Sequence, residues 1–275
     1  MSTAALTPAV NTRSAAAILK GAAGFWFAVA VIGQALFLTY ILAFYVPSTL
    51  SGNFAVWAKN THLIKGYVPG DTVGNLAFGA HVLMAAVITF GGTVQLVPQI
   101  RARAPAIHRW VGRAFMTTAI AAALVGFYMT WARGTAELVP GIGISLDAAL
   151  IVGFAILAWR AAVRRDVANH RRWAMRTFIV ANGVWFLRLG FVVYGLARSV
   201  AGDLLPSMGA FFVAWNFGAY LVPLAILELY FLAQAKGGPS ARLAMAGLLI
   251  LVTLLMGVGI AGSWFGLFAP VLAKL

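Results

Sequence analysis

VGNLAFGAHVLMAAVITFGGTVQLVPQIRARAPAIHRWVGR, residues 73–113, carries the pattern that recurs along the whole chain. Its first 26 residues contain no Asp, Glu, Lys or Arg, and its last 13 contain Arg101, Arg103, Arg109 and Arg113. A helix rises about 1.5 Å per residue, so about 20 apolar residues cross the hydrocarbon core of a bilayer. Residues 73–98 are long enough. Six further apolar runs occur, at 21–46, 109–132, 144–163, 172–197, 208–234 and 242–266. The expectation is an all-α integral membrane protein of seven spans, a single polytopic domain over residues 1–275 with no separate soluble domain.

Composition agrees. The chain is 62% hydrophobic and 9% charged, with a mean hydropathy of +0.92, whereas about a quarter of residues are charged in soluble domains. A net charge of +14 would point to nucleic acid in a soluble protein. Here the cations sit on short bridges flanking the spans, which is a topology signal. The chain has no cysteine, which excludes disulfides, thiolate nucleophiles, iron–sulfur clusters and covalently attached c-type haem. It contains no HExxH or phosphate-loop pattern and no complete dinucleotide fingerprint, since its GVGIAG at 257–262 lies inside an apolar run with no Asp or Glu after it, so hydrolysis and nucleotide-driven chemistry have no visible machinery. The first run is too long for a signal-peptide core and ends in Tyr40, Phe44 and Tyr45, as an uncleaved span would.

Fourteen of the twenty Lys and Arg residues fall on alternate bridges. They are Arg13 and Lys20, the four arginines quoted above, Arg160, Arg164, Arg165, Arg171, Arg172 and Arg176, then Lys236 and Arg242. The positive-inside rule therefore places the N-terminus in the cytoplasm and the C-terminus outside, with anionic lipid headgroups as partners of the basic face. The longest outer bridge, residues 47–72, holds Trp57, Asn60, His62 and Tyr67. It reads either as a folded flap or as a solvated loop with interfacial aromatics.

Two cytoplasmic corners resemble each other. Residues 108–113 read His-Arg-Trp-Val-Gly-Arg, and residues 170–176 read His-Arg-Arg-Trp-Ala-Met-Arg. In each, two arginines four apart (Arg109 and Arg113; Arg172 and Arg176) share a helical face. A parallel repeat of two hairpins follows, giving a four-helix core over residues 73–197 with the spans at 21–46, 208–234 and 242–266 packed outside. His108 and His170 each open a helix at the same depth. Gly112, one turn beyond His108, leaves room for a flat ligand near the backbone. Facing imidazoles from two helices are how b-type haem is held, with Arg109, Arg113, Arg172 and Arg176 available to its propionates. Anchoring at the interface and contacts to lipid headgroups are the plainer reading of the same residues.

Polar groups at membrane depth form a second set. Arg188 lies about 13 Å from the outer end of its span and His81 about 12 Å. Arg188 also follows His170 by five full helical turns, which sets the two on one face. Asn216 reaches a similar depth, with Tyr220 one turn deeper; Gln95 continues the His81 face, and Asp147 stands where it could neutralise Arg188. His81 and Arg188 would form an outer ligand or quinone contact, and Asn216, Tyr220 and Gln95 a substrate cavity. Interhelical hydrogen bonding is the alternative for each residue taken singly.

The ordered string His81, Gly92, Gln95, Arg101 and the corner 108–113, then 170–176 and Arg188, resembles a bacterial multi-pass family known as domain of unknown function 2306, over about residues 75–195. That resemblance implies a bacterial cytoplasmic membrane and brings no function. A looser similarity is to membrane cytochromes of the b561 and ferric-reductase type, which are haem-bearing four-helix cores. With three histidines on or at helices, one haem, or one haem plus a quinone, fits better than two. The leading expectation is a redox protein using b-type haem or quinone for electron transfer with a redox partner. The rivals are a transporter or lipid-handling protein with an outward-facing His/Arg cavity, in which Pro223 hints at a broken sixth helix, and an accessory subunit of a larger membrane complex.

Overall fold

The computed structural model describes residues 12–59 and 66–273, so His62 lies outside the described residues. In chain order the helices are α1 (Thr12–Leu50), α2 (Thr72–Leu96), α3 (Pro98–Arg103), α4 (Pro105–Trp131), α5 (Leu138–Val163), α6 (Val167–Ala181), α7 (Gly183–Ala201), α8 (Met208–Lys236), α9 (Pro239–Ser263) and α10 (Ala269–Leu272). Seven segments, namely α1, α2, α4, α5, α7, α8 and the stretch from α9 through α10, are long and apolar enough to cross a membrane. No strand occurs among the described residues. Large apolar side chains such as Ile32, Phe90, Leu124, Ile156 and Leu254 point outward and are exposed. Water would not tolerate such a surface, and lipid requires it.

The two hairpins form as expected. α2 packs on α4, α5 on α6, and α4 joins the pairs by packing on α5. Each corner has a physical cause. Val97 and Ala104, each followed by proline, sit outside the helical region, which starts α3 and α4 cleanly. At the other corner Arg165 turns the chain with φ +58°, and Asp166 caps α6 by accepting from the Asn169 amide at 3.1 Å. His108 and His170 are thereby each the fourth residue of their helix.

α1 is not peripheral to these hairpins. It packs on both α2 and α9, while α9 packs on α7, so the helices run α1–α2–α4–α5–α6/α7–α9 and back to α1 as a closed ring. α8 covers the seam of α5, α6 and α7. Phe37, Tyr40, Ile41, Phe44 and Tyr45 of α1 belong to the same buried core as Phe115, Phe178 and Trp185. A short helical turn, Phe54–Lys59, seats Trp57 in this core. Its indole N–H donates to Ser48 Oγ at 2.8 Å. A Cβ at Gly79 would meet the Trp57 ring at 2.6 Å, so that glycine makes room for the tryptophan. The described part of the outer bridge is thus a folded flap.

An ion pair clasps it. Arg133, after α4, reaches Asp71 at 2.7 Å and the Asn75 side chain at 2.9 Å, and Asn75 in turn holds the Val68 backbone at 2.8 Å. The Arg133 hydrogen bond, and after it the Gly74 amide, hold the Asp71 carboxyl below the usual carboxylate range. A group whose folded value is depressed stabilises the fold above its unfolded value, about 4, and loses that contribution as pH falls through the folded value. The thermal midpoint of the detergent-purified protein is expected to fall as pH is taken below about 4. Asp71→Asn should lower the neutral-pH midpoint and remove that part of the acid sensitivity.

Candidate functional site

The expected fifth span, 172–197, is not one helix. It breaks at Asn182, whose φ of −97° and ψ of 12° leave the helical region between α6 and α7. The Asn182 amide bonds to Ile179 O at 3.2 Å, and its carbonyl accepts from Trp185 and Phe186. The side chain completes the repair: Nδ2 donates to Phe178 O at 2.7 Å, and Oδ1 accepts from Gln34 Nε2 of α1 at 2.8 Å. Both side chains are buried. α8, by contrast, runs unbroken through Pro223. The break also ends the register that would have put His170 and Arg188 on one face.

Two cavities lie inside the ring, one of about 1040 Å³ at the arginine-rich end and one of about 580 Å³ toward the opposite end. They are separated within one helical turn. Thr89, Ala119 and Asn182 face the smaller cavity; Gly92, Met116 and Ile179 face the larger. Phe115 and Phe178 meet over Gly92, where an added Cβ would lie 2.9 Å from the Phe178 ring. α7 stands between the two, with Trp185 and Arg188 on one side and Phe186 and Leu189 on the other.

The larger cavity receives both corner histidines. His170 Nδ1 lies 2.9 Å from Ala158 O, the geometry of a donated hydrogen bond that leaves Nε2 bare. His108 Nδ1 is buried with no hydrogen-bond partner. The space above Gly112 is not open: Gln95 fills it, its Oε1 being 3.0 Å from where a Cβ would stand, while its Nε2 donates to His108 O at 2.9 Å. Gln95 therefore belongs to this cavity and pins α2 to α4 beside His108.

The arginines divide. Arg109 and Arg113 line the larger cavity, joined by Arg101 and Arg171, which sequence reasoning left out of the site. Arg176 turns to α8 and makes a bidentate ion pair with Glu228 at 2.6 and 2.7 Å, the pairing that Glu228 invites by its place near the basic end. Its guanidinium also lies 4.4 Å from the Trp173 ring centroid. Arg172 lies over Phe231 at 5.8 Å. Arg172 and Arg176 thus brace α6 on α8.

The smaller cavity gathers His81, Arg188, Asn216, Asp147 and Asn182. His81 Nδ1 lies 3.1 Å from Ala122 O, again leaving Nε2 for the cavity. Arg188 bends back toward mid-membrane, donating to Val184 O at 3.1 Å and lying over Phe37 at 5.2 Å. It makes no ion pair with Asp147: the three ion pairs among the described residues are those of Arg133, Arg176 and Arg198. Asn216 donates to Phe212 O at 2.7 Å. Tyr220 is fully buried, and its hydroxyl donates to Gly143 O at 3.1 Å, which ties α8 to α5. Gln34 and Asn182 are the residues missed. The Asn-Gly dipeptide 182–183 is a turn signal that the apolar run around it masks.

Asn182→Leu should destabilise by about 1–3 kcal/mol, because it strands the Gln34 amide in the core. Adding Gln34→Leu removes the stranded partner, so the double variant should recover part of that loss in a denaturation cycle in detergent. Equal losses that simply add would deny the coupling.

No curated protein and no solved structure matches the chain. The family model described as predicted membrane protein (DUF2306) matches residues 78–231, more than half of the chain and all of α4 to α7, and the chain belongs to that family.

Proposed function

We propose that this protein is a membrane redox protein that holds a b-type haem in the larger cavity, between His108 and His170. One observation carries the reading. Two imidazoles, each the fourth residue of its helix in two similar hairpins, line one largely apolar cavity, and each keeps a ring nitrogen free of protein hydrogen bonds. With its Nδ1 hydrogen donated to the Ala158 carbonyl, His170 would offer Nε2 to hold the iron. Phe178, Met116 and Met175 supply an apolar surround, and Arg101, Arg109, Arg113 and Arg171 supply counter-charge for propionates. A bound haem supplies a one-electron centre; the chain orients the imidazoles, excludes water and balances charge. By the positive-inside rule the arginine-rich end faces the cytoplasm, in a bacterial cytoplasmic membrane. A quinone headgroup is the competing occupant of the same chemistry, with His81 and Arg188 as its contacts in the smaller cavity.

A transport reading rests on a different observation. A helix interrupted between two cavities stacked end to end is how many transporters build their sites. Protein free of cofactor whose thermal midpoint rises with one particular solute would favour it.

The deciding measurement is a reduced-minus-oxidised visible spectrum of detergent-purified protein made with ample haem supply, with pyridine haemochrome quantification. About one haem per chain is expected, with a sharp α band lost in His108→Ala and in His170→Ala and retained in Arg172→Ala. A colourless protein, or a full band in both histidine variants, would sink the assignment.

A further inference from the structure

We propose that Asp147 is a proton-exchange site at the inner end of the smaller cavity, reached by protons from the membrane side that carries Glu137. This does not rest on the haem reading. Asp147 lies on α5 and faces that cavity, and its Oδ1 is buried with no hydrogen-bond partner. The carboxyl sits against the helix break. A Cβ on Gly183, the first residue of α7, would lie 2.8 Å from Asp147 Oδ2, so this glycine is what lets the carboxyl occupy the gap. A carboxylate without a partner at this depth is stable only with a proton or another cation upon it.

The cavity gives that carboxyl a route to one side. Glu137 stands at the N-cap position of α5 and lines the same cavity ten residues before Asp147, about 15 Å along the helix. Thr130 and Thr135 add hydroxyls to the wall. Toward the other side the way is closed by the turn in which Phe115 and Phe178 meet over Gly92 and Gln34 bonds Asn182. The ionisable groups facing the cavity from other helices are His81 on α2, Arg188 on α7, and Tyr40 and Tyr45 on α1. From α8, Tyr220 turns its hydroxyl to Gly143 O. None of them forms an ion pair with Asp147 among the described residues. A metal ion needs several ligands, and no group of three or more His, Cys, Asp or Glu side chains that could hold one occurs among the described residues, whereas a proton needs a single carboxyl oxygen. The ligand indicated is therefore the proton.

A lipophilic carbodiimide tests this on the full chain in proteoliposomes. The protonated carboxyl adds across a carbodiimide C=N bond: its proton goes to nitrogen and its oxygen bonds the central carbon, with no leaving group. Peptide mass spectrometry should find the adduct on Asp147 of the wild type and no adduct at that position in Asp147→Asn. With the pH changed on one side at a time, labelling should fall severalfold as the Glu137 side is made alkaline and stay constant as the arginine-rich side is. Absence of the adduct at acidic pH on both sides would overturn the proposal, as would labelling that follows the arginine-rich side. Suppression by sodium relative to choline at fixed pH would also overturn it, by making the site one for a metal cation. Because the decisive readings use wild-type protein, they hold even where the variant does not fold.

Discussion

Inside a bilayer every backbone donor and acceptor must find its partner within the protein, and the architecture here turns on a place where the helical ladder is interrupted. At Asn182 the helical ladder stops. The asparagine side chain caps Phe178 from below and takes a hydrogen bond from Gln34 across the ring. That single side chain both licenses the break and fastens α1, the first helix in sequence, to the α6–α7 junction. Without it α1 would lean far more on its apolar contacts with the hairpins, and lipid competes for those on nearly equal terms. The same junction marks the boundary between the two cavities.

Charge is distributed by the same economy of partners. The basic end carries far more arginine than its two carboxylates, Asp166 and Glu228, can neutralise; Asp166 caps α6 and Glu228 is taken by Arg176. Arg101, Arg109, Arg113 and Arg171 are left facing a large apolar cavity with two imidazoles. A cationic mouth on an apolar chamber selects amphipathic molecules with an anionic or strongly accepting end. At the other end the situation inverts: Asp147 is set apart from Arg188 although both face one cavity. An acidic and a basic side chain that share a chamber without pairing leave the carboxyl to be neutralised by a proton instead.

Much of this was legible in the sequence. The seven spans, the two hairpins and the matching depth of His108 and His170 follow from hydropathy and from the repeated His-Arg corners, because lipid imposes length and loop arginines impose side. The gathering of His81, Arg188 and Asn216 followed from helical rise alone. What was illegible depended on neighbours that no spacing encodes. Gly112 reads as open space until Gln95 of another helix is seen to fill it. Tyr220 reads as a cavity residue until its hydroxyl is seen on Gly143. Arg172 and Arg101 are equivalent as letters; Phe231 and the cavity wall make them different. The break was hidden because Pro223 is the louder signal, yet α8 absorbs it while Asn182-Gly183 breaks α7 away from α6.

The partition between the cavities bears on both readings of function. It is thin, one turn of α2, α4 and α6, and it is made of aromatic rings and one side-chain hydrogen bond. A wall of that kind stops water and solutes while leaving two redox groups on either side of it close to one another. The same wall sits on a helix break, the place where α7 can pivot on α6, which is the form a hinge takes. An electron-transfer protein needs this partition to stay closed; a transporter needs it to open. The Gln34–Asn182 bond is therefore the element whose rigidity separates the two, because it fixes the α6–α7 junction to α1.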